Sequence, residues 1–194
     1  MRAVPLALAA LLGAAAPAAA ENLAKFPVFG LRLGDGLEAA RGVHPDLFVE
    51  ARDYEHPEVG FRYEAALGQR EQDRHEARGL VAGPGGAQVE LQLAFTGDGR
   101  LYDLQAWERR AGKVDCAAEM RRLRDRYGAP DVRVRDDRAQ WIERRGEVDR
   151  MLEVQCFAEG RLLWRLADNN AAEAYRAALA ERLAPYVEQV KRQP

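Results

Sequence analysis

The chain contains no serine, and its single threonine is Thr96. Catalysis through a serine nucleophile is therefore excluded, including the serine–lysine and penicillin-binding arrangements. Lysine is almost as scarce, with only Lys25, Lys113 and Lys191, so nearly all positive charge is arginine. The excess of Arg, Ala and Gly looks like the bias of a GC-rich bacterial genome, and individual arginines carry correspondingly little information. No P-loop is present. The glycine-rich Gly83-Pro84-Gly85-Gly86 is followed by neither Lys-Ser/Thr nor a helix signal, so it reads as a hairpin loop.

Histidine is limited to His44, His56 and His75, all inside or at the edge of the acidic stretch 44–76. With Asp53, Glu55 or Glu58 they have the chemistry for a zinc or copper site, but no two share a helical face or a strand. No metal and no cofactor is expected. Carboxylate-pair catalysis is open to any fold that brings acids together, and no small acidic cluster stands out.

What is present begins with an address. Arg2, the apolar run Val4 to Ala16 and the small residues Ala18-Ala19-Ala20 form the three regions of a secretory signal peptide over 1–20. Residue 21 is Glu, so no cysteine is there to carry a lipid. No later run reaches the ~20 apolar residues of a membrane-spanning helix. Removing 20 of 194 residues leaves 174, read as a single α+β domain over 21–194. The whole chain has 29 basic and 31 acidic residues; Arg2 leaves with the leader, giving −3. Weak negative charge and export argue against a nucleic-acid partner. The expected place is the periplasm or the exterior of a bacterial cell.

The strongest helix signal is Lys113 to Pro130. Asp115 can cap it, Gly128 and Pro130 stop it, and Cys116, Met120, Leu123 and Tyr127 share one face. On a later strand Val148, Leu152, Val154 and Cys156 also share a face, the one turned to the core. Two cysteines in an exported chain, not spaced C-x-x-C, read as one disulfide, Cys116–Cys156.

Elsewhere, Asp35 with Glu38 has capping-box spacing before a short helix ended by Gly42 and His44-Pro45. Asp46 to Glu58 reads as a polar connection and Gly68 to His75 as a charged loop. Period-two alternation marks strands at Val59–Ala65, Val89–Phe95 and Leu101–Glu108, and Glu76–Ala82 suits a shorter one. Beyond Pro130 three more strands are expected: within 132–143, over 148–157 and over 162–167. Asn170 with Glu173 opens a last helix to Arg192, with the stripe Tyr175, Leu179, Leu183, Val187 and Val190 and an internal Pro185. The turns Phe95 to Leu101 and Phe157 to Leu162 look alike. The pattern allows two fused helix-plus-three-strand units, 26–110 and 111–168, followed by the C-terminal helix 170–192. The expected fold class is thus α+β, an antiparallel sheet with helices on one face.

The order helix, Tyr127-Gly128-Ala129-Pro130, strand with Trp141, then Leu152 to Phe157 and Gly160-Arg161-Leu162 resembles small exported α+β proteins of the SmpA/OmlA and beta-lactamase-inhibitor-protein type. Leu123 belongs to this likeness, and Leu33-Gly34 is an earlier echo. The resemblance implies short helices on one face of an antiparallel sheet and a binding or scaffolding role. No partner-binding residue of those proteins has an identifiable counterpart.

Together these observations point to a non-catalytic periplasmic binding or scaffolding protein, its partner an envelope protein or a small ligand. The alternative is a periplasmic enzyme or metal-handling protein using loop carboxylates and histidines. Residues 44–76 carry nine acids against four arginines, and 109–150 carry thirteen basic residues against nine acids. Such a bipolar surface would orient on an anionic partner. Two tryptophans are the candidate contact residues. In Leu101–Glu108, Trp107 falls in phase with Asp103 and Gln105, opposite Tyr102, Leu104 and Ala106. Trp141 shares its side with Glu143, whereas Trp164, in phase with Leu162 and Leu166, is expected in the core.

Overall fold

The computed structural model describes residues 23–52, 74–146 and 148–192. The expected leader 1–20, the expected strand Val59–Ala65 and His56 lie outside the described residues. The elements are α1 (Leu37–Val43), β1 (Phe48–Arg52), β2 (Arg74–Ala82), β3 (Gln88–Phe95) and β4 (Leu101–Arg109), then α2 (Cys116–Tyr127), β5 (Val132–Arg135), β6 (Arg138–Arg145), β7 (Val148–Phe157), β8 (Arg161–Asp168) and α3 (Asn169–Lys191). This is the expected α+β class.

All eight strands form one antiparallel sheet in the order β1-β2-β3-β4-β8-β7-β6-β5. Each half is a helix followed by a four-stranded meander, and the halves join along β4 and β8. Three strands per unit were expected. In the second half, 132–143 folds back at Asp136-Asp137 into the hairpin β5–β6. In the first, β1 occupies part of the stretch read as a polar connection. Its Phe48 is well exposed, so burial leaves little apolar alternation to read there.

One sheet face is buried. Leu91, Leu93, Leu104, Ala106, Leu152, Val154, Trp164 and Leu166 carry it, beneath the leading segment with Leu23, Val28 and Leu31 and beneath α2 with Met120, Leu123 and Tyr127. Cys116 and Cys156 join α2 to β7, with Cα atoms 5.5 Å apart. Asp115 caps α2 by accepting from the Ala118 N–H at 3.1 Å, and Gly128 ends it at a φ of 84°. The chain entering α2 rests on the β7–β8 turn: the Arg110 and Val114 N–H groups donate to the Gly160 and Ala158 carbonyls. At Gly160, φ is 95° and a Cβ would lie 2.2 Å from the Gly112 oxygen, so only glycine fits.

Two expected caps do not form. The Asp35 carboxylate accepts from the Arg32 N–H instead, leaving Gly36 at the α1 N-cap without a side-chain bond. At α3 it is Asp168, not Asn170, that accepts from the Ala171 N–H at 2.9 Å. The last helix runs through Pro185 to Lys191. It packs on β4 and β7 from the other side of the sheet, at one end of the strands. There Ala167, Leu179 and Val187 are buried apart from the main core. A bulge at Ala94/Phe95 frees Tyr102 to meet Tyr175 of α3, ring centroids 6.0 Å apart, rather than to continue the core face of β4.

Candidate functional site

Among the described residues, the sheet face opposite the main core is covered only by α3, at one end. Residues paired across neighbouring strands share a face, so the register fixes its composition. One row crosses the sheet as Leu80, Glu90, Trp107, Leu163, Gln155 and Arg138. The next runs Phe48, Arg78, Gln92, Gln105, Arg165, Glu153, Gln140 and Val132 over all eight strands. Beyond Trp107 lie Arg109, Arg161 and Phe157, the Arg161 guanidinium 5.2 Å from the Phe157 ring centroid.

This face is mixed rather than simply polar. Of the four well-exposed large apolar residues among the described residues, Phe48, Leu80 and Val132 belong to it, and the fourth, Val43, is on α1. Trp107, Leu163 and Phe157 are half-buried. Many of the charges are tied together within the sheet: Arg165 donates to Asp103 at 2.9 Å, and Arg138 lies 2.8 Å from Glu153. Such internal pairs hold long side chains down and keep the surface even, while contributing little stability each. Where α3 leaves the sheet, a groove of about 510 Å³ opens between Gln92, Gln105 and Arg165 on the floor and Tyr175 and Arg176 on the helix.

Trp107 stands as expected on this outer face. Trp141 does not. It is fully buried, its Nε1–H donates to the Gly128 carbonyl at 2.9 Å, and its ring meets Tyr127 with centroids 5.7 Å apart. Its neighbour in phase, Glu143, points inward as well. This carboxylate accepts the Leu23 N–H at 2.9 Å and lies 3.6 Å from Arg150. A buried carboxylate with partners looks in sequence like a surface one. Trp164 is in the core as expected. Leu163 was within reach of the sequence, since Arg161, Leu163 and Arg165 alternate against Leu162, Trp164 and Leu166. Phe48 and Leu80 carried no such signal.

On the core face a charged chain closes the gap between β4 and α2. Glu108, almost fully buried, accepts from Trp164 Nε1 at 3.0 Å and from Arg110 Nε at 2.6 Å. Arg110 then donates both terminal nitrogens to Glu119 at 3.0 and 3.1 Å, and Arg122 donates to the same carboxylate. Burial would push the Glu119 carboxyl up, but the hydrogen bonds from Arg122 and Arg110 outweigh it and hold it down to about 2. Burial raises the Tyr127 hydroxyl.

Of the remaining candidates, Asp53, Glu55, His56 and Glu58 lie outside the described residues. Thr96 is a turn residue: its hydroxyl accepts the Arg100 N–H at 3.1 Å and bonds the Asp98 carboxylate. His44 donates from Nε2 to the Phe29 carbonyl at 2.8 Å. The His75 side chain, like His56, is outside what is described. Among the described residues no group of three His, Cys, Asp or Glu could hold a metal ion, and no helix is long and apolar enough to cross a membrane. No family model, no curated protein and no solved structure matches the chain.

Proposed function

We propose that this is an exported, non-catalytic binding protein that docks a partner protein on the open face of its sheet. The observation that carries this reading is the apolar set Phe48, Leu80 and Val132, well exposed beside the half-buried Trp107 on one side of an eight-stranded sheet. Large side chains kept exposed on a regular element lose little entropy on contact and offer much area. Trp107 is the central anchor, between Glu90 and Leu163 in the middle of the sheet. Arg109 and Arg161 border it, so an acidic segment of the partner suits that end. The signal-like leader and the disulfide support an oxidising compartment outside the cytoplasm. The resemblance to small exported binding and scaffolding proteins agrees with this role.

The test is photo-crosslinking in the native host. A photoreactive residue at Gln105 should give a discrete adduct that Trp107→Ala reduces at least tenfold, while the same residue at Arg124 on the exposed side of α2 gives none. Adducts of equal yield at both positions, or one indifferent to Trp107→Ala, would contradict the docking face.

A further inference from the structure

A cavity of about 330 Å³ opens on the opposite side of the molecule, above Trp164 and between the leading segment, the Pro84 turn and α2. We infer that this cavity binds a small planar organic anion, an aromatic carboxylate, with the ring against Phe29 and Trp164 and the carboxylate at Arg126. The inference is independent of the sheet-face reading.

The wall begins with an unusual residue choice. Val28 and Leu31 exchange both backbone hydrogen bonds, at 2.9 and 3.0 Å, so Phe29-Gly30 is a two-residue hairpin turn. Both central residues have positive φ, 50° and 82°. Such turns favour Asn-Gly, because only small or locally hydrogen-bonding side chains take the first position cheaply. Phe29 is the only non-glycine residue with positive φ among the described residues. That conformation costs about 1–2 kcal/mol. It sets the ring edge-on to Trp164 with centroids 5.5 Å apart, and the His44 Nε2–H holds the Phe29 carbonyl. Strain of this kind, in a wall of a cavity, points to a site rather than to a simple turn.

The opposite wall is cationic. Arg122 and Arg126 come from α2, and Tyr127 lies beneath the Arg126 guanidinium at 5.1 Å. The acids nearby are already engaged. Glu108 is taken by Arg110 and Trp164, and Glu119 by Arg110 and Arg122. Arg126 makes no ion pair among the described residues, and its planar fork is free to take a carboxylate in two parallel bonds. The volume suits one or two fused rings with a charged group, at the small end of ligand sites. An aromatic floor, one free guanidinium and no free acid select a planar anion over a neutral or cationic ligand.

The probe is 2-naphthoate with the purified, oxidised protein, followed by calorimetry and by the NMR shift of the Trp164 indole N–H. Expected are saturable binding, a Trp164 shift, and affinity at least tenfold weaker for the neutral 2-naphthamide. Arg126→Gln should weaken naphthoate at least tenfold with an unchanged melting temperature. Phe29→Gly, which removes the ring from the wall, should weaken it as well. Equal affinity for acid and amide, no effect of Arg126→Gln, or no saturable binding at millimolar concentration would each overturn the assignment.

Discussion

Glu119 is a carboxylate almost shut off from water and held by two arginines, one from the loop before α2 and one from the next turn of the helix. Its folded value near 2 lies below the 4.5 of the free side chain. The charged form is therefore favoured by folding. The contribution is present in full above about pH 4.5 and is lost as the pH falls through 2. Glu119→Gln should destabilise the protein at neutral pH, and the deficit against wild type should shrink between pH 4.5 and 2. Urea melts across that range check it; a deficit constant with pH would show that shape, not charge, is what Glu119 supplies. At this scale the sequence is least legible. Glu143 reads as a surface acid because nothing local records the Leu23 amide that meets it after folding. The same blindness placed Trp141 on the wrong face.

Among the elements, α2 was readable because independent signals agreed on it: an Asp cap, an apolar stripe and a Gly-x-Pro stop. The in-phase cysteines were readable for the same reason. The disulfide spans 40 residues and ties α2 to β7, so its loss should act chiefly through the unfolded chain. A loop of that length corresponds to about 4 kcal/mol in the chain-entropy model. The double variant Cys116→Ala/Cys156→Ala should keep its circular-dichroism spectrum and melt roughly 10 °C lower, at about 2–4 °C per kcal/mol for a chain of this size. A shift of a degree or two would mean that the α2–β7 packing alone sets stability. By contrast, β1 is hard to read because its Phe48 faces solvent, and the β5–β6 hairpin because its turn is a bare Asp-Asp. The α1 side-chain cap is absent because Asp35 accepts from the Arg32 N–H instead, and at α3 Asp168, two residues before Asn170, supplies the cap.

On the scale of the molecule, two halves pair along β4 and β8 into a sheet with one face sealed and the other, among the described residues, covered only at one end. The disulfide and the α+β class could be read from composition and period. The open face could not, because it depends on which side α3 takes and how far it reaches. Docking on this face requires Trp107 to be accessible in the free protein and covered in the complex. The direct measurement is acrylamide quenching of Trp107 in a Trp141→Phe/Trp164→Phe variant, alone and with the partner identified by crosslinking. Quenching should be efficient in the free protein, weak for the buried Trp141 and Trp164 in their own single-tryptophan variants, and suppressed for Trp107 on complex formation. Protection of Trp107 in the free protein, or unchanged quenching in the complex, would contradict docking on the open sheet face.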